Sequence, residues 1–590
     1  MYEDFGAVVD RPSVEFRLFF PNQTQFVRGG PPRIRSLRVA GSFQGWDEAT
    51  APRMERHGRP DGDLWTHRID ALADGYYEYK YVAEMENGDV RWCGDPCSKY
   101  GGAEHENSAF VIGGAKMTPR AIEGRKPLKD LIIYELMVDD FTAAFRGERA
   151  PLDAVRDRLD ELQRLGINAI EFMPWTAWSD NNFSWGYDPF AFFAVEHRLL
   201  NDPSEPLRKL FHLKNLIDEL HARGLHAIMD GVFNHCVAGA TAERGFAYSW
   251  LYQNREETPF IGAFGRGGFF EDLDFRNACV DQFIFDVCRY WLDTYQLDGI
   301  RFDYVGGFYE RTDPPTGISK IVGLLDEAYA GQNRSFILEF LTDDRFQAID
   351  KTNEIAADGC WFDPIMWRLD DAMWGHPRPG LMRALNASKD LAGSRRAVTY
   401  IENHDHTTVA VRGGGRASWW RTQPAAIALM TAAGTPMIHN GQEFGDDYSM
   451  PEDGPARVVP RPLRWHQSDD DIGRALRDLY TRLIAIRKAH PALRSTNFYP
   501  EPYDEGTRRF DKEGYGVDDE RGIAVFHRWE GAERFIITLN FSDDAHEVDV
   551  PFSVNGEWRD LLGGDSIEVR GFRHRMVLTS HWGRVWWRRE

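Results

Sequence analysis

GIRFDY, residues 299–304, carries the reading of this chain. It starts apolar, as a buried strand does, and ends in Arg301 and Asp303. Side chains alternate along a strand with period two, so these two point to one side. Three other segments have the same grammar: DGVFNH (230–235), FILEF (336–340) and IENHDH (401–406). Polar chemistry at the carboxyl ends of successive buried strands is the plan of a parallel α/β barrel, whose active site lies at that end.

Outward from these strands, the chain alternates strand and helix. LIIYELMV (131–138) predicts a first strand. Leu152, Val155, Leu159, Leu162 and Leu165 follow helical spacing and stop at Gly166. NAIEFMPW and HAIMDGVF predict the second and third strands, GIRFDY the fourth and FILEF the fifth. GCWFDP, AVTYIEN and TPMIHNG complete eight. The expected fold is α/β, a (β/α)8 TIM barrel over about 120–495, with an insertion at about 236–275 rimming the active-site face. Residues 1–115 read as an N-terminal β-sandwich, from SLRVAGSF, LWTHRID and YYEYKYVAE with turns between them. IAVFHRW, RFIITLNFS and MVLTS predict a C-terminal β-sandwich over about 500–590. The polar stretch 113–129 reads as a linker.

Bulk properties narrow the partners. The net charge of −22 argues against nucleic acid and anionic membranes, which need basic surfaces. A neutral polymer suits it. Nineteen Trp and 38 Phe suit stacking on flat apolar faces such as sugar rings, or an aromatic-rich core. The six cysteines (Cys93, Cys97, Cys236, Cys279, Cys288, Cys360) lack zinc-site spacing and read as reduced thiols. The first residues lack a signal-peptide pattern and no apolar run approaches a membrane span, so a cytoplasmic protein is expected.

The strand ends supply Asp303, Glu339 and Asp405, enough carboxylate for glycosidic-bond chemistry. A retaining glycosidase needs a nucleophile and a proton donor about 5 Å apart. Adjacent strands are about 4.8 Å apart, so Asp303 and Glu339 can face one bond. Arg301 is expected to hold Asp303 ionised, and desolvation to raise Glu339 as a general acid requires. His235 and His404 suit hydrogen bonds to sugar hydroxyls.

These segments, in this order, resemble the signature regions of the α-amylase superfamily, glycoside hydrolase family 13. The resemblance implies Asp303 as nucleophile, Glu339 as acid/base and Asp405 as transition-state stabiliser. It implies sugar contacts by Arg301, His235 and His404, supported by Asp230. SWGYDP (184–189) resembles the stretch whose tyrosine, here Tyr187, stacks on the sugar; Trp175, Trp178 and Trp185 are further candidate platforms. Glu443 in HNGQEFG is expected to be structural. GSFQGW, YYEYKY and RWCGDP resemble a glycogen-binding module of the isoamylase and branching-enzyme type, with Trp46, Lys80 and Trp92 as its sugar contacts. No cofactor is required; a structural calcium would draw on Asn234 and Asp272. The expected partner is an α-glucan polysaccharide or oligosaccharide, with oligomeric state left open. The main expectation is hydrolysis of α-1,4-glucosidic bonds in starch, glycogen or malto-oligosaccharides by double displacement. Alternatives are a branching enzyme, an α-1,6 debranching or trehalose-releasing hydrolase, and an inactive glucan-binding protein.

Overall fold

The computed structural model describes all residues except 104–105, 114–116, 180–181, 203–206, 208–210, 379 and 502–507. The boundary expected at residue 115 falls outside the described residues.

Eight parallel strands close a barrel: Ile133–Leu136, Ala169–Phe172, His226–Gly231, Gly299–Phe302, Ser335–Leu338, Gly359–Phe362, Arg396–Thr399 and Thr435–His439. Each falls on a run of apolar residues buried on both faces, as parallel strands under a helical layer must be. The helical layer follows the expected periodicity. Helix Leu159–Leu165 buries Leu159, Leu162 and Leu165, and Gly166 ends it at φ 99, a conformation that favours glycine. Helix Ala278–Thr294 buries Val280, Phe283, Val287, Tyr290 and Trp291.

The N-terminal region forms a four-stranded sheet, from Gly6–Asp10 to Gly62–Ile69, facing a larger one. That larger sheet is not confined to the N-terminal residues. Barrel segments Thr176–Trp178 and Pro189–Val195 extend it, Val195 pairing with Tyr100. The C-terminal region is a second sandwich, a seven-stranded sheet with the pair His546–Pro551 and Arg573–Leu578. One contiguous hydrophobic cluster runs from Tyr2 through the barrel to Val585. The three regions thus share a core.

The insertion at 236–275 mostly does something other than rim the cleft. Its Tyr248 and Phe260 rings stack at 4.0 Å, and the Tyr248 hydroxyl donates to the Phe19 carbonyl at 2.6 Å. Arg91 donates to the carbonyls of Trp250, Tyr252 and Gln253. The middle of the insertion therefore docks the N-terminal sandwich. Its end reaches the cleft: exposed Phe269 and Phe270 lie beside His235, and Phe269 meets Tyr304 edge-on at 5.0 Å. All six cysteines are buried and free. Among the described residues, no helix is long and apolar enough to cross a membrane.

Candidate active site

The site grows from a two-residue step along the barrel strands. Ile133, Ala169, Ile228, Ile337, Trp361, Val398 and Met437 form an apolar cluster inside the barrel. Two residues further along the chain from each stand Glu135, Glu171, Asp230, Glu339, Asp363, Tyr400 and His439. An apolar plug thus supports a layer of charge, the side-chain period setting both.

Arg301 is the centre of that layer. It is wholly buried, with its guanidinium 4.0 Å from the Trp361 ring. Nη1 donates to Asp230 at 2.6 and 2.8 Å and to Asp303 at 3.0 Å, while Nη2 lies 2.9 Å from Glu339. Asp303 also accepts from Asn234 Nδ2 at 3.3 Å, and Glu339 from the Tyr304 backbone N–H at 2.8 Å.

One cation thus serves three buried carboxylates. Burial first, then the adjacent Glu339, pushes the Asp303 carboxyl well above the usual range despite Arg301. The expectation that Arg301 keeps Asp303 ionised is corrected in the free protein. Burial and the like charge beside it favour the retained proton on Asp303 in the free protein. Asp230 is also raised, by burial, against the pull of Arg301 and the Tyr187 hydroxyl, which donates to it at 2.5 Å.

A second charge network lies on the opposite wall. Glu135 accepts from the Nδ1 atoms of His404 (2.7 Å) and His439 (2.6 Å). Burial opposes its ionisation, but the two imidazoles outweigh that and hold it far below the carboxylate range. Burial likewise disfavours a charged His404, yet Asp405 and Glu135 push it up to about 9. His404 is an imidazolium at neutral pH. Its Nε2 lies 3.5 Å from Asp405, and Arg457 Nη2 donates to the other Asp405 oxygen at 2.5 Å. These cations overcome burial and keep Asp405 ionised. Tyr187 stacks on His404 at 5.1 Å, and Trp185 meets that ring edge-on at 5.5 Å.

Asp230, Arg301, Asp303, Glu339, His404, Asp405 and Tyr187 are therefore brought together. His235 is adjacent, but its ring nitrogens are occupied, Nδ1 by Asn234 Oδ1 at 2.5 Å and Nε2 by the Tyr187 carbonyl at 2.8 Å. Burial lowers its pKa. Trp175 and Trp178 are core residues, 0% and 2% exposed, so neither offers a sugar platform. Glu443 is buried and accepts from the Tyr134 hydroxyl at 3.0 Å, a structural position.

Asn234 and Asp272 lie on adjacent segments without forming a cation cage. The Asn234 amide is spent on His235 and Asp303, and no group of three or more His, Cys, Asp or Glu among the described residues converges as a metal site. Calcium needs six to eight oxygens, which these residues do not supply.

In the N-terminal sandwich, Trp46 and Trp92 lie 6.4 Å apart, tilted by 39°, both partly exposed. Lys80 does not join them at the surface. It is 3% exposed, and its Nζ donates to the Glu243 carbonyl of the barrel insertion at 2.7 Å.

Glu135, Glu171, His439 and Arg457 were not assigned to the site from sequence. Glu135 and Glu171 had a signal, each a lone charge inside an apolar strand. Arg457 had none, sitting in an irregular segment remote from every motif.

Comparisons follow this geometry. The α-amylase catalytic domain matches residues 136–248, and the α-amylase C-terminal all-beta domain matches 516–587. One segment of the barrel and one of the C-terminal sandwich thus match α-amylase domains. It is 26% identical over 451 residues to pullulanase A of Streptococcus pneumoniae serotype 4, covering 63% of this chain and 34% of that one. The chain thus spans about a third of that relative. It is 24% identical over 576 residues to the 1,4-alpha-glucan branching enzyme of Leifsonia xyli, covering 91% of this chain and 73% of that one. The solved structure of pullulanase type I from Bacillus subtilis, complexed with maltose, superposes with a TM-score of 0.75 at 19% identity. It covers 100% of this chain and 87% of that one, a likeness of fold.

Proposed function

We propose that this protein is a retaining α-glucan hydrolase that cleaves α-1,6 branch linkages. The observation that carries the chemistry is the pair Asp303 and Glu339 on one guanidinium, at the ends of adjacent strands. The choice of α-1,6 over the α-1,4 hydrolysis first expected is supported by the pullulanase relatives in both sequence and fold.

A glycosidic oxygen entering between the two carboxyls separates them and lets the retained proton serve on Glu339. The Asp303 carboxylate then bonds to the anomeric carbon as the bond to the leaving oxygen breaks, and that oxygen takes the Glu339 proton. Water next attacks the anomeric carbon, yields a proton to Glu339 and releases Asp303. Asp405 and the His404 imidazolium hold the hydroxyls of the reacting sugar.

A second reading, transfer to another chain, is favoured by the branching-enzyme relative, which covers more of this chain than the pullulanase does. Proton NMR on pullulan and on amylose separates them. Loss of α-1,6 signal from pullulan, with rising reducing ends, supports debranching. New α-1,6 signal in amylose at constant reducing ends indicates branching. Reducing ends from amylose alone restore α-1,4 hydrolysis, and glycogen bound without product indicates a binding protein.

A further inference from the structure

The loop after the eighth strand brings a second cation, beside His404, onto the carboxylate Asp405. Residues 451–456 are exposed, and the segment PEDGPARVVPR (451–461) has no regular structure. Both of its ends are tied down. The Thr407 hydroxyl and Met450 backbone are joined at 2.9 and 3.1 Å, which docks the loop on the segment carrying Asp405. The Arg461 backbone N–H donates to Asp140 at 2.8 Å, and its side chain to the carbonyls of Ala456 and Arg457.

Between these anchors, Arg457 turns inward. Nη1 donates to the Glu452 carbonyl at 3.1 Å, Nη2 to Asp405 at 2.5 Å, and the guanidinium lies 5.6 Å from the Trp185 ring. Asp405 is the most exposed of the three catalytic carboxylates, at 28% against 12% for Asp303 and 9% for Glu339. It therefore has the least help from its surroundings in keeping one orientation.

We propose that Arg457 is a positioning residue for Asp405, through which the loop after the eighth strand sets how the reacting sugar is held. A guanidinium fixes a carboxylate in direction as well as charge, because its donors lie in a rigid plane. The clamp between the Glu452 carbonyl and the Trp185 face fixes the guanidinium in turn. The proposal rests on Asp405 being a catalytic carboxylate, as in the proposed function. It is independent of which linkage is cut.

The titratable and charged groups facing Asp405 are His404, Arg457, Arg301 and His406, which burial lowers to about 4, and the Tyr187 and Tyr400 hydroxyls lie near. His404 remains when Arg457 is removed, so Asp405 is weakened rather than neutralised. The test uses Arg457→Met, which keeps the length of the chain without its charge, and Arg457→Lys. Both are assayed from pH 4 to 9 on whichever of pullulan or amylose the wild type consumes.

Arg457→Met is expected to lower kcat/KM about tenfold or more, with the loss falling on kcat at least as much as on KM, and Arg457→Lys to return part of it. The acidic limb should stay in place, because the Asp303 carboxyl lies above Asp405 and sets it. A change in KM alone would reduce Arg457 to a loop-shaping contact. A rise in kcat/KM would make it a cap that substrate displaces. Either result overturns the proposal. If the wild type consumes neither glucan, the proposed function fails by itself. Calorimetric binding of maltotetraose then decides Arg457: Arg457→Met weakens it and Arg457→Lys restores part, or the proposal falls.

Discussion

Two regions of this molecule bury arginines, and they do opposite things with them. At the carboxyl end of the barrel, Arg301 faces Asp230, Asp303 and Glu339. At the junction with the C-terminal sandwich, Arg487 and Arg528 face only carbonyls. Arg528 donates to Asn497 at 2.8 Å, to Ser495 at 2.6 Å and to Thr431; Arg487 donates to Met430 at 2.8 Å and to Gly434. Met430 and Thr431 end the helix Gln423–Thr431, where unsatisfied carbonyls carry partial negative charge.

The chemical difference is titration. Carbonyls do not take protons, so the Arg487–Arg528 junction is a staple. Burial lowers both groups, helped by neighbouring arginines (Arg494 and Arg396 at Arg487, Arg487 and Arg396 at Arg528), and takes Arg487 to about 9, which still leaves it charged at neutral pH. Carboxylates do take protons. Gathering three around one guanidinium forces at least one proton to stay, and a retained proton is what an acid/base site needs.

The sharpest break between the regions is Asp303→Asn. It should reduce turnover at least about a thousandfold. It should leave thermal stability unchanged or raised, because it replaces a carboxyl that burial already keeps protonated. Residual activity above a few per cent would remove Asp303 from the nucleophile's role.

Arg528→Met is the converse. It strands several buried carbonyls and should cost about 3 kcal/mol in a denaturant titration, with kcat unaltered. A loss of kcat without a loss of stability would erase the distinction between staple and site.

Glu135→Gln sharpens the comparison through pH. His404, up to about 9 in the fold against about 6.5 unfolded, contributes stability that is complete below about pH 6.5. That contribution is lost as pH rises through about 9. Removing the Glu135 carboxylate lowers His404, so the variant's Tm should fall less than the wild type's between pH 6.5 and 9. The alkaline limb of kcat/KM should move down by about one pH unit. An unmoved limb would show that His404 does not control it.

The smallest effect is expected at Lys80. Lys80→Met removes a buried bond to the Glu243 carbonyl and should cost about 1 kcal/mol in stability, with retention on glycogen in affinity electrophoresis unchanged. Weakened retention would return Lys80 to the sugar contacts.

Much of this architecture was legible in the chain. Barrel strands are buried on both faces, so GIRFDY and FILEF stand out as apolar runs, and even GCWFDP falls on a strand, Gly359–Phe362. Asp303 and Glu339 were readable because each follows directly on such a run, whereas Asp405 lies in the irregular segment after Arg396–Thr399 and was read from IENHDH. Less was legible where function depends on neighbours remote in sequence. Lys80 reads as a surface ligand until Glu243, 163 residues away, is seen to bind it.

By itself, then, the sequence determined the eight strands and the β-rich regions that flank them, because periodicity and burial are local properties of a run of residues. Only the tertiary structure decided their charge states, the docking of the insertion on the N-terminal sandwich, and the arrival of Arg457 at Asp405. Protonation depends on every charge within a few ångströms, and those charges come from strands that meet only when the barrel closes.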